Sequence, residues 1–159
     1  MKLKSLLGLL YLVVIVFTSC NEDKAVLASG SCTFAFDSIA YSANNAMASA
    51  KDSVYKDEDT TFTGKALTIE ALTSSLNSHF TATIFFPDTL AVGTYTQNEY
   101  ASMMFTYSMS GNIHYLSTKT TIKITSINSK YAEGEFFGTL KNGETEKPLT
   151  DGKFKVNIY

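Results

Sequence analysis

From Cys32 to Ile158 the apolar side chains of this chain recur at every second position, and that period restricts the fold more than any other feature. Cys32, Phe34 and Phe36 alternate with Thr33 and Ala35. Leu67, Ile69 and Ala71 alternate with Thr68 and Glu70, and Phe80, Ala82, Ile84 and Phe86 with Thr81 and Thr83, until Pro87 ends the run. The same pattern returns at Ile122 and Ile124, at Phe136, Gly138 and Leu140, and at Phe154, Val156 and Ile158. A period of two puts one side of each strand on a core and the other in water, whereas a helix would need a period of 3.6.

Turn-forming residues fall between these runs. Asn44-Asn45, Pro87-Asp88, Ser110-Gly111-Asn112, Asn142-Gly143 and Asp151-Gly152 are the expected reversal points. Asn142-Gly143 and Asp151-Gly152 have the composition of turns needing positive φ, and the second is expected to introduce the last strand. Ala43–Ala50 reads as a loop running into a strand through Val54. Phe154–Tyr159 is expected to complete a sheet and supply three core side chains. The spacing predicts an all-β domain, an antiparallel β-sandwich or flattened barrel of roughly 8–10 strands.

The first twenty residues follow a different rule. Lys2 and Lys4 precede an apolar run from Leu6 to Phe17, and Phe17-Thr18-Ser19-Cys20 follows. The run is about twelve residues, the length of a signal-peptide core, and short of the roughly 20 that span a bilayer as a helix. This order resembles the lipobox of bacterial lipoproteins, with Phe17 where leucine is usual. The resemblance implies cleavage before Cys20 and a diacylglycerol on its sulfur. It divides the chain into a signal peptide (1–19), a lipidated cysteine and tether (20–31) and a β-sandwich-like domain (32–159). A flexible tether of that length has a span of roughly 20 Å. Asn21-Glu22-Asp23 resembles the acidic start of surface-exposed lipoproteins of Bacteroidota-like bacteria.

A second resemblance rests on Phe34-Ala-Phe, Tyr41-Ser-Ala, Gly93-Thr94-Tyr95, Gly134-Glu-Phe-Phe-Gly and Thr150-Asp-Gly-Lys-Phe. Together these are similar to small β-rich lipoprotein domains of uncharacterised function in Bacteroidota. They imply a cell-envelope lipoprotein held by lipid in the outer membrane, on its periplasmic or its surface face. They carry structural letters and imply no activity.

Charge narrows the partners. The chain has no arginine, and without Lys2 and Lys4 there are 11 lysines against 15 acids, a net charge of −4. Nucleic-acid binding needs a basic face, so it is not expected, nor is a polybasic patch for anionic lipid. With Cys20 lipidated, Cys32 has no disulfide partner and is expected to be a buried small apolar residue at a strand start. The two histidines, His79 and His114, lie in no catalytic motif. There is no nucleophile elbow, phosphate loop or dinucleotide fingerprint. Asp57-Glu58-Asp59 lacks the calcium-loop spacing and reads as a solvated turn. The expectation is no catalytic residue, no metal and no cofactor, although a carboxylate pair brought together by the fold would define a hydrolase.

One stretch suggests contact with a partner. Tyr100–Leu116 holds Tyr100, Met103, Met104, Phe105, Tyr107, Met109 and Tyr115, three of the chain's five methionines among them. Met103, Phe105, Tyr107 and Met109 share one side of a strand and Met104 takes the other. Either the first side is core and Met104 is incidental, or both sides are apolar because one meets a partner. In the second case Tyr100, Met104, Tyr107 and Tyr115 form the candidate binding surface, since exposed methionine and aromatic rings make adaptable contacts. The sequence therefore points to a non-enzymatic, lipid-anchored binding or scaffolding module for an envelope protein. A glycan ligand is the alternative.

Overall fold

A computed structural model describes residues 30–57, 60–97, 100–108 and 111–159. Cys20 and Met109 lie outside the described residues. Nine strands are found among them: β1 (Gly30–Phe36), β2 (Ile39–Asp57), β3 (Thr60–Leu72), β4 (Ser78–Phe86), β5 (Gly93–Thr96), β6 (Ala101–Tyr107), β7 (Ile113–Ile127), β8 (Tyr131–Asn142) and β9 (Thr145–Ile158). The first strand thus takes in Gly30 and Ser31, the last two residues of the expected tether.

Eight strands form a closed barrel. Each pairs antiparallel with its successor, β1 pairs with β9, and β7 pairs with β8 to complete the circuit. The short β5 lies along β7 below β6, so β7 meets β6 at Ile113–Leu116 and β5 at Thr121–Ile124. Gln97 fills the gap. Its Nε2 donates to the Ser117 carbonyl (2.7 Å), and its Oε1 accepts from Thr120 Oγ1 (2.9 Å). The single-domain all-β expectation holds, and closure makes it a barrel. Up-and-down order removes sheet edges wherever all eight strands overlap.

The alternating apolar residues face inward. Phe34, Leu67, Ile69, Phe80, Ile84, Met103, Phe105, Ile122, Phe136, Leu140, Phe154 and Val156 are all buried. Phe80 stacks on Phe136 with ring centroids 4.6 Å apart, and Phe34 packs on both. An eight-stranded barrel is narrow enough for side chains to fill, and these rings fill it. Two inward glycines make room. Gly152 pairs with Phe136 and Gly134 with Phe154, and a Cβ on either would lie under 3 Å from the facing phenylalanine ring. The outer wall carries Lys123, Glu133, Glu135, Lys153 and Lys155, the reverse of the alternation a lipid-embedded barrel requires.

Two expected turns are bulges instead. Asn44 and Asn45 both face outward while β2 continues, because Cys32 pairs with Ala43 but Gly30 with Ala46. Ala43–Ala50 is therefore strand throughout. Asp151 has φ +55 inside β9, where Thr150 and Asp151 oppose Phe137 alone. Asparagine and aspartate tolerate local backbone distortion as well as reversal, and an extra residue can be absorbed by a bulge while pairing resumes beyond it. At Asn142-Gly143 the reversal is real and falls on Gly143-Glu144, with Gly143 at φ +56.

The barrel has two unlike ends. Gly30 and Ile158 lie at the base. The β1–β2, β3–β4, β6–β7 and β8–β9 connections lie at the other end, the mouth.

Candidate binding site at the barrel mouth

The mouth is built by residues far apart in the chain. β1 and β2 are joined by Asp37 and Ser38, both at positive φ (51° and 67°), which is the geometry of a tight hairpin turn matched to strand twist. The turn places Asp37 beside β9, where Asp37 N donates to the Pro148 carbonyl at 3.0 Å. Lys147 on β9 points over the rim. Its Nζ lies 2.7 Å from Asp37 Oδ2, and sits 5.9 Å from the Phe36 ring centroid and 5.6 Å from that of Tyr115.

Tyrosines complete the rim. Tyr41 stacks on Phe34 at 5.4 Å and meets Phe105 edge-on at 5.0 Å, while Tyr115 meets Phe36 edge-on at 5.0 Å. Phe36, Asp37, Ile39, Tyr41, Tyr107 and Lys147 are among the residues lining a notch of about 130 Å³. Ile39 stands beside it, 58% exposed. The hydrogen bond from Lys147 to Asp37 holds the ammonium above its usual pKa. Burial raises the Tyr41 hydroxyl, and Tyr107 beside it adds to the effect. Lys147 stays cationic and Tyr41 neutral at physiological pH, so the notch presents an apolar floor, phenol groups and one ammonium paired with the Asp37 carboxylate.

The four nominated surface residues are not brought together. Tyr107 and Tyr115 reach the mouth, joined by Tyr41, Asp37 and Lys147, which the sequence did not mark as binding residues. Met104 faces outward, half-buried between Thr81 and Leu116. Tyr100 lies toward the base with φ +103, and its ring meets Tyr55 edge-on at 5.0 Å and packs on Phe62 and Phe85. This outer cluster buries Phe85 and borders a groove of about 280 Å³. The opposite side of β6, Met103 and Phe105, is core.

The remaining chemistry-bearing side chains have structural surroundings. Cys32 is a buried free thiol whose pKa burial pushes up to about 12. Glu133 and Glu135 lie on the outer wall opposite Lys155 and Lys153, so each faces a cation. His114 Nδ1 lies 3.0 Å from Thr106 Oγ1. Among the described residues no three His, Cys, Asp or Glu side chains gather as metal ligands would. Asp57-Glu58-Asp59 falls where β2 turns into β3, and Glu58 and Asp59 lie outside the described residues.

No protein-family model, curated protein or solved structure matches this chain. A barrel of this kind serves many functions, so the function rests on the chemistry of the site.

Proposed function

We propose that this protein is a lipid-anchored, non-enzymatic envelope module that binds a protein partner through the barrel mouth. The observation that carries this reading is the placement of the notch. It opens at the end opposite Gly30, so a chain tethered through Cys20 presents it away from the membrane. Pockets for whole small molecules are roughly 300–1,000 Å³. The notch is smaller, and suits one anchoring side chain or chain end of a larger partner. With the ammonium already paired to Asp37, its remaining hydrogens and the phenols favour a neutral acceptor, such as a carbonyl, beside that anchor.

A protein is favoured over the alternative glycan because one face of Tyr41 is stacked on Phe34 and Phe105 meets the same ring edge-on, whereas sugar stacking wants a flat, open ring. Larger hollows exist, about 490 Å³ beside Gly30 and Lys130 and about 550 Å³ beside Val54 and Pro87. These are more open furrows lined mainly by polar side chains, Lys130, Lys155 and Asn157 in the first and Asp52, Lys65 and Asp88 in the second.

The test places a photo-crosslinking residue at Ile113 in the mouth or at Thr139 on the wall of the full-length chain in its own membranes. The Ile113 probe should give one discrete crosslinked protein species, lost on Lys147→Ala, and the Thr139 probe none. Equal capture from both positions, or none from Ile113, would refute the reading. Separately, Cys20→Ser should release the protein from the membrane fraction.

A further inference from the structure

The β2–β3 hairpin outruns the barrel. β2 pairs with β3 as far as Asp57, but on its other side pairing ends where Met47 and Ala48 meet Asn157 and Ile158. Among the described residues, no strand covers that edge of β2 beyond Ala48. We propose that the edge from Ser49 to Asp57 is a homodimer interface, where two copies of this chain pair antiparallel about a two-fold axis at Val54.

The backbone direction fixes which residues can bond. The Ala48 carbonyl points out of the hairpin, since it accepts from Tyr159 N at 3.0 Å. The β2–β3 register is unbroken from Met47 to Asp57. Alternation therefore turns the N–H and C=O of Ala50, Asp52, Val54 and Lys56 toward the free edge. A second copy bonded there must pair these positions with one another.

The side chains then select one register. Centred on Val54, pairing sets Asp52 opposite Lys56 and Lys56 opposite Asp52. Val54 meets Val54, and Ser53 meets Tyr55. The registers centred on Ser53 or Tyr55 place Val54 against a charged residue. Opposite charges across a strand pair stabilise it and like charges oppose it. The segment is thus self-complementary, as a two-fold interface must be. Asp52 has capacity for the contact: it is 90% exposed, with Oδ1 bonded to Lys65 at 2.8 Å. Val54, 63% exposed, is an apolar centre for the pair.

Charges along an edge ordinarily repel other strands, and here they would repel all but a matching one. The hairpin's other edge is different, because Pro87 ends β4 beside Thr63 and Gly64 and offers no N–H.

The test is disulfide trapping of the full-length chain in membranes. Facing Cα atoms in a bonded antiparallel pair are about 5.5 Å apart, within disulfide reach, so Val54→Cys should yield a covalent dimer on mild oxidation that the parent chain does not. Combining Val54→Cys with Asp52→Lys, or with Lys56→Asp, should lower the yield several-fold. Co-expressing these two charge variants should restore it as the mixed dimer, because each cation again faces an anion. Three results would overturn the proposal. One is a monomer whose introduced thiol reacts freely with maleimide. Another is a dimer yield indifferent to the charges. The third is a thiol closed to maleimide without a dimer, which would mean that residues upstream of Gly30 or a different protein cover the edge.

Discussion

The interlock of phenylalanine and glycine across β8 and β9 can be tested by a double-mutant cycle. A Cβ on Gly152 would lie 2.3 Å from the Phe136 carbonyl oxygen and 2.5 and 2.6 Å from two carbons of its ring. The ring has little room to retreat, because it is stacked on Phe80 at 4.6 Å. Overpacking of this kind costs about 1–3 kcal/mol. Gly152→Ala should therefore lower stability by about 2 kcal/mol, or roughly 5–10 °C in Tm for a domain of this size. Phe136→Ala removes a ring that is 1% exposed and should cost about 3–5 kcal/mol. In the double variant the ring carbons are gone while the carbonyl remains, so Gly152→Ala should cost roughly 1 kcal/mol less than in the parent. The chain has no tryptophan, so urea unfolding is best followed by circular dichroism at the strand band. If the two costs add to within about 0.5 kcal/mol, or if Gly152→Ala alone is neutral, then ring and glycine do not interlock.

At the mouth, the raised pKa of Lys147 means that its bond to Asp37 contributes stability at neutral pH, and that this is lost as pH climbs through the folded value. Lys147→Gln should be less stable than the parent at pH 8 by up to ~1 kcal/mol, with the gap closing above the unperturbed 10.5; a gap constant from pH 8 to 11.5 would show that the ion pair contributes nothing. Ser38 has φ +67 without being glycine, so Ser38→Gly should be neutral or stabilise by up to ~1 kcal/mol, measured by thermal melt. With its thiol buried and its pKa pushed up to about 12, Cys32 should resist maleimide at pH 8 until urea unfolds the barrel, and fast labelling of the native protein would contradict its burial. Deleting Phe154–Tyr159 removes buried Phe154 and Val156 and the β9 partners of Ala132 and Gly134. At roughly 1.5–3 kcal/mol per buried side chain, no cooperative melt should remain.

The fold was legible because inward and outward residues differ so sharply in chemistry. The inward residues of β1, β3, β4 and β9 follow directly from the apolar alternation, which needs only local sequence. Closure is not local. Whether the strand through Cys32 meets the one through Phe154 depends on twist accumulated over eight strands, and nothing in either strand distinguishes a barrel wall from a sandwich layer. The bulges were hidden for a related reason. Asn44-Asn45 and Asp151-Gly152 have turn chemistry, and the same tolerance of unusual backbone serves a turn or a bulge according to whether a neighbouring strand continues past it.

The site was less legible than the fold because a binding surface follows spatial position and a sequence window follows the chain. Tyr100–Leu116 is compact on paper, yet the seven residues of β6 extend about 24 Å. Tyr100 therefore sits toward the base and Tyr107 at the mouth, with Met104 midway on the outer wall. What joins Tyr107 and Tyr115 into a site comes from elsewhere: Asp37 from the first hairpin and Lys147 from the last, 110 positions apart in sequence. Each looks like an ordinary surface charge by itself. Their pairing over aromatic rings exists only because β1 and β9 close the barrel, so the step that made this fold a barrel also assembled its mouth.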